Sequence, residues 1–172
     1  MFTNTAKAGG VYKVVCHDAD GNFKWEETTH NLVVNQGLQD MNTKYFSGSA
    51  YTASWLLGLI TGPGSGTAIA AADTLASHVG WTEFTDYSGN RKAVTFGTAT
   101  TADPSVIANS AAPSQFSITG SGGVVAGAFL CNVATGTSGV LFSASDFQSP
   151  GDRTVVSGDT LTVTYTFSLD AT

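Results

Sequence analysis

The segment Leu161-Thr162-Val163-Thr164-Tyr165-Thr166-Phe167-Ser168-Leu169 alternates apolar and hydroxylated residues without a fault. Side chains along a strand project to opposite faces in turn, so this period puts Leu161, Val163, Tyr165, Phe167 and Leu169 on one side and the hydroxyls on the other. A helix would scatter the same residues around its axis. The segment therefore predicts a long strand with one face on a core and one in water, as in an antiparallel sheet.

The rest of the chain supplies partners for it. Residues 10–16 and 23–34 are β-prone runs separated by Asp18-Ala19-Asp20-Gly21-Asn22, a turn whose Gly and Asn tolerate positive φ, so they read as a hairpin. Ser54-Trp55-Leu56-Leu57-Gly58-Leu59-Ile60 reads as a strand buried on both faces. Residues 81–87 and 92–98 flank Ser88-Gly89-Asn90 as a second hairpin, and further strands are expected at 115–119, 124–133 and 140–147. Only residues 35–46 change period: Leu38, Met41 and Tyr45 share one helix face, Asn35 caps the start, Lys44 suits the negative end and Gly48 stops it. Residues 73–79 are expected to form one helical turn, and 61–72, built almost wholly from Gly, Ala, Thr and Ser, a loop. About eight or nine strands at this spacing predict a jelly-roll-like β-sandwich. No internal repeat or second domain is visible, so residues 1–172 are expected to form one all-β domain with one short helix.

Composition narrows the function classes. A chain of 172 residues buries about 70% of its unfolded surface and needs no metal or disulfide to hold a core. Charged residues make up 12%, about half the usual share, and Thr, Ser, Asn and Gly take their place at the surface. Ten Phe, five Tyr and three Trp argue against disorder. The net charge is −6, and the seven cations Lys7, Lys13, Lys24, Lys44, Arg91, Lys92 and Arg153 are dispersed, with only Arg91 and Lys92 adjacent. Phosphate binding needs clustered Lys and Arg, so neither nucleic acid nor an anionic membrane is an expected partner. Cys16 and Cys131 both fall in strand-like runs and are expected to be buried free thiols rather than a bridge. The first seven residues carry no secretion signal and no run nears the ~20 apolar residues of a membrane span, so a soluble product of a reducing cytoplasm is expected.

Residues with chemical potential are few. His17, His30 and His78 are the only imidazoles, and none is paired at metal-ligand spacing. His78, near Asp73 and Glu83 in the chain, comes closest to an acid/base site, but a structural role is expected for it. The Asp18–Asn22 run falls short of a calcium loop, because Gly21 stands at its fourth position rather than its sixth and Thr29 occupies the twelfth. Gly62-Pro63-Gly64-Ser65-Gly66 places its Ser one residue late for a nucleophile elbow. Phosphate-loop and dinucleotide fingerprints are absent from the sequence. A glycosidase carboxylate pair stays open, since sandwiches assemble such pairs from distant strands. Trp25, Trp55 and Trp81 are expected in core or interface packing, with a sugar platform as the alternative. No catalytic, cofactor-binding or metal residue is assigned, and no enzymatic activity or cofactor is expected.

An ordered series of segments carries a resemblance. It comprises His30-Asn31-Leu32-Val33-Val34-Asn35-Gln36-Gly37-Leu38, Trp55-Leu56-Leu57-Gly58-Leu59 and Asp73-Thr74-Leu75-Ala76-Ser77-His78-Val79-Gly80-Trp81-Thr82-Glu83. Tyr87, Arg91, Gly127-Ala128-Phe129-Leu130 and Val156-Ser157-Gly158-Asp159-Thr160-Leu161 continue it. The series resembles small virion structural proteins of tailed bacteriophages, among them jelly-roll cement (decoration) proteins of the capsid. What the resemblance implies is a homo-oligomer, dimer or trimer, made in the host bacterial cytoplasm. It would bind the major capsid protein across subunit boundaries on the outside of the shell. A tail-associated or fibre module recognising a host surface glycan or protein is the alternative, and a polysaccharide hydrolase the third reading.

Overall fold

The computed structural model describes residues 5–48, 51–61, 68–148 and 151–171. These form thirteen strands and one helix. In chain order they are β1 (Ala6–His17), β2 (Phe23–His30), β3 (Leu32–Val33), α1 (Asn35–Phe46), β4 (Leu56–Thr61), β5 (Thr82–Phe84) and β6 (Lys92–Ala93). Then follow β7 (Ser105–Ala108), β8 (Ser114–Ser117), β9 (Gly123–Val125), β10 (Gly127–Cys131), β11 (Leu141–Asp146), β12 (Arg153–Val155) and β13 (Thr160–Ala171).

Two antiparallel sheets make a jelly-roll-like sandwich. In the first, β2, β1 and β13 lie side by side, and β8 and β7 share the far edge of β13 end to end. The second runs β3-β11-β10-β4-β5, with β6 beside β5 on the same edge of β4. β9 and β12 form a separate small ribbon. The alternating strand behaves as its period requires: Leu161, Val163 and Tyr165 are wholly buried and meet Tyr12, Val14 and Cys16 of β1 and Leu57, Leu59, Leu130 and Phe142 of the opposite sheet. The second sheet is covered on its outer face too, where Ile60, Phe129, Leu141 and Ala144 pack under Val34, Leu75 and Trp81. Burial on both faces is why β4 and β10 read as continuous apolar runs.

The sheets differ in length. β1 and β13 pair over 12 residues, whereas β4, β10 and β11 have 6, 5 and 6. At about 3.3 Å per residue the long pair reaches ~40 Å against ~20 Å for the sheet below it. One end of the ladder therefore overhangs. Phe167 is only partly buried there and Leu169 is 39% exposed, although both hold the inward phase of the alternation.

Several local expectations are corrected. The run 23–34 and the run 124–133 are each broken, at Asn31 and Ala126, as the chain leaves one set of strands for another. That switching raises the strand count. The 81–87 and 92–98 runs are not a hairpin: β5 and β6 both pair with β4 and not with each other. Residues 73–79 form a turn closed between Thr74 and Ser77 rather than a helical turn. The helix spans the expected residues, with Lys44 in its last turn and Gly48 beyond it at φ +66°. Its N-cap, however, is Val34 without a side-chain cap: the Val34 carbonyl already accepts the first helical bond, from the Leu38 N–H, which places Asn35 inside the first turn. α1 also packs differently from its apolar spacing. Gly37 lies against the backbone of Phe142, where a Cβ would collide with the carbonyl, and Met41 reaches the core while Leu38 and Tyr45 are exposed. The glycine-rich 62–66 run lies outside the described residues.

The overhang predicts a graded response along β13. Leu161→Ala is expected to cost about 2–5 kcal/mol in denaturant unfolding, and Leu169→Ala no more than about 1 kcal/mol. Val163→Asp is expected to abolish folding, because an unpaired buried carboxylate rivals the whole stability of about 5–15 kcal/mol. Thr164→Asp, on the outer face, is expected to fold.

Candidate docking surface

Beneath the overhang lies a cleft of about 700 Å³. Its roof is the inner face of the long ladder, Ala6 of β1 with Phe167 and Leu169 of β13, flanked by Ile107 of β7. α1 contributes Met41, Tyr45 and Phe46 from across the opening, and Trp55 and Phe96 line it further in. The cleft ends at a polar knot. Tyr12 and Tyr165 pack as tilted rings with centroids 4.6 Å apart, the Tyr12 hydroxyl sits 2.8 Å from Ser143 Oγ, and Asn31 Nδ2 donates to Tyr165 Oη at 2.9 Å. Burial pushes both phenols well above their ordinary range, so they remain neutral hydrogen-bonding groups.

The rim is aromatic and open. Tyr45 and Phe46 are 82% and 78% exposed and touch edge to face, with centroids 4.9 Å apart. Lys44 Nζ stands 5.2 Å from the centre of the Tyr51 ring, whose phenol is pushed up by burial and by nearby Asp40. Adjacent exposed aromatics at the mouth of an apolar cleft are the composition of a binding surface, where large rings bury much area at small cost in rotamer freedom.

The residues with chemical potential lie elsewhere and are held by structural partners. His78 stacks on Trp81 at 3.7 Å between centroids, with Nδ1 2.9 Å from the Trp81 carbonyl. Asp73 accepts from the Ala70 N–H and from Trp81 Nε1, both at 3.0 Å, and Glu83 is bound by Arg91 at 2.7 and 2.9 Å. The three therefore do not converge. Asp18 closes its own turn, accepting from the N–H groups of Asp20 and Asn22; with the Asn22 side chain the foremost cause, its carboxyl is held below the usual range. His17 lies beside Phe23, and Trp25, Trp55 and Trp81 each pack on a different phenylalanine, Phe147, Phe142 and Phe129. Among the described residues, no three His, Cys, Asp or Glu side chains are grouped to hold a metal ion, and no helix is long and apolar enough to cross a membrane.

Three features were not read from the sequence. Arg91 is buried, donating to Glu83 and to the Val133 carbonyl, with its guanidinium over Phe129. Arg153 reaches the buried Glu27 at 2.6 Å and covers Trp25. A second cleft of about 520 Å³ is of mixed character, with Thr28, His30, Asp146 and Gln148 beside Leu32 and Ile69 in its wall. Each joins residues far apart in the chain, which composition and spacing do not bring together. The aromatic cleft did leave a trace, because the alternation of residues 161–169 outlasts the apolar run 54–60 that faces it.

Fold and surface together define a β-sandwich with an open, aromatic-rimmed cleft. No family model, no curated protein and no solved structure matches the chain.

Cys16 and Cys131 are free and buried as expected; burial raises the Cys16 thiol to about 11 and pushes the Cys131 thiol up as well. Only the thiolate reacts with disulfide reagents. The native chain is therefore expected to show no reactive thiol at neutral pH and both thiols in denaturant, as titration with a chromogenic disulfide measures. His78→Ala is expected to lower the melting temperature without changing the fold, as circular dichroism measures.

Proposed function

We propose that this chain is a bacteriophage virion structural protein without catalytic activity, a capsid cement protein that binds the outer shell across subunit boundaries. The uncovered aromatic cleft carries this reading. A chain with only 12% charged residues and an apolar groove rimmed by Tyr45 and Phe46 suits a broad, largely uncharged protein contact. The ordered segments that resemble tailed-phage virion proteins supply the context, with the major capsid protein and further copies of the chain as partners.

The energetics follow from selective binding. A protein that bridges neighbouring capsid subunits finds its complete site only on the assembled lattice, so its binding free energy adds to the shell and not to the free subunit. Many copies, each held at more than one place, add avidity without tight single contacts. The second cleft supports another reading, a tail-associated module for a host glycan, since hydroxyl, imidazole and amide groups of Thr28, His30 and Gln148 beside the apolar Leu32 and Ile69 suit the two kinds of surface a sugar presents.

Particles lacking the protein are expected to assemble with normal geometry, then release DNA at lower temperature or under osmotic shock, and added protein is expected to restore resistance saturably. Tyr45→Ser and Phe46→Ser are expected to change the stability of the isolated chain by no more than about 0.5 kcal/mol and to weaken rebinding at least about tenfold, the loss of one aromatic anchor. Depleted particles as robust as wild type that fail to attach to cells would overturn the cement reading in favour of the tail module.

A further inference from the structure

The overhanging end of β1 is hydrogen-bonded on one side only. β13 pairs with it from Ala6 to His17, but β2 accompanies the other side no further than Val11, and the last bond there runs from the Asn31 N–H to the Gly10 carbonyl. Even-numbered residues of β1 therefore turn their backbone groups away from β13. By the same period Ala6 and Ala8 offer two donors and two acceptors to the open side, and among the described residues no backbone group meets them. Gly9 faces β13, where Ser168 Oγ lies 3.5 Å from its carbonyl, and a Cβ built on Gly9 would meet nothing within 4 Å. A further strand thus has room to join beside Gly9, one residue short of the place that Asn31 holds.

The open edge is also the roof of the aromatic cleft. Ala6 lines that cleft beside Phe167 and Leu169, and Ala6 and Ala8 hold the same phase of β1 as the buried Tyr12, Val14 and Cys16. Residues of an added strand opposite Ala8 and Ala6 share that inward face, and the first of them continues the row formed by Leu169 and Ala8. The residue between them points outward beside Lys7, the one charge of this stretch. The other edges of the sheet are guarded. Along β2, Glu27 turns its charge inward to Arg153, a device that deters pairing, and β7 is covered by hydrogen bonds from Gly97 and Thr100.

We propose that an extended segment of the capsid protein adds antiparallel to β1 along Ala6–Gly9. Two alternate apolar side chains of that segment, opposite Ala8 and Ala6, turn down into the cleft, and an acidic side chain between them meets Lys7. The open backbone groups select an extended occupant, because a helix has its own N–H and C=O groups already paired and leaves those of Ala6 and Ala8 unmet. In strand addition the main-chain bonds supply affinity and the pocket beneath reads the alternate side chains, and here edge and pocket coincide. The inference rests on the cement reading for its partner and adds the way in which that partner is held.

The test is to rebind the purified chain to shells depleted of it and to compare amide hydrogen exchange in the free and bound protein, read by NMR after release. The Ala6 and Ala8 amides are expected to exchange as open groups in the free chain and at least about tenfold more slowly on the shell, while those of Lys7 and Gly9, already directed at β13, change little. Ala8→Pro removes an edge N–H that β13 does not use. It is expected to keep the circular dichroism spectrum and melting temperature of wild type and to rebind at least about tenfold more weakly, the loss of one anchoring position. Lys7→Glu is expected to weaken rebinding too, since it sets like charges side by side. Wild-type chain that does not rebind overturns the cement reading and this inference with it. Wild-type chain that rebinds with Ala6 and Ala8 still exchanging freely, or Lys7→Glu that rebinds as tightly as wild type, overturns this inference alone.

Discussion

The ladder between β1 and β13 organises the molecule. It is the longest pairing in the fold, it sits at the centre of its sheet, and it supplies the fully buried Tyr12, Val14, Leu161, Val163 and Tyr165. Everything else is placed relative to it. The shorter sheet covers about half its length, α1 packs across part of the remainder, and what is left over is the cleft. Cleft and core therefore share one cause: the same apolar period that builds the core continues past the place where the core ends.

Charge is scarce and used with economy of position. Arg91 and Arg153 each meet a carboxylate and an aromatic ring, so their heads are paired while their stems cover apolar surface. Buried pairs of this kind often add little net stability, because desolvation offsets the attraction. Their value here is specificity. Glu27 with Arg153 marks one sheet edge as closed, and Glu83 with Arg91 fixes the segment that bulges between β5 and β6. The cleft, by contrast, carries its charges, Asp40 and Lys44, among aromatic and aliphatic residues.

Local periods were legible in the sequence and long-range joins were not. The 161–169 alternation, the helix at 35–46, the turn at Asp18–Asn22 and the two buried thiols all follow from neighbours in the chain. The failures share a cause. Asn31 and Ala126 are points where the backbone changes partner strands, and a run of unbroken strand propensity hides such a change because the sequence on either side of the break reads alike. β5 and β6 look like a hairpin because a turn separates them, yet β4 offers both a better-buried partner. Leu38 and Tyr45 have helix-face spacing, but the close approach of Gly37 to Phe142 rotates the helix so that only Met41 of the three reaches the core. The candidate surface depends on the relative length of two sheets, which no single segment states.

The partners in the central ladder are also among the residues most distant in sequence, Tyr12 lying opposite Tyr165. Contacts of such separation slow folding, because the chain entropy of closing the loop is lost before the contact forms. During synthesis at about 5–20 residues per second, β1 waits on the order of ten seconds before β13 emerges. For that interval β1 has only β2 as a strand partner, and the hairpin they form shows its apolar face to water. The geometry that gives the finished sandwich its rigid spine thus makes the nascent chain a client for holding factors, and ties the yield of the native protein to the pace of the ribosome.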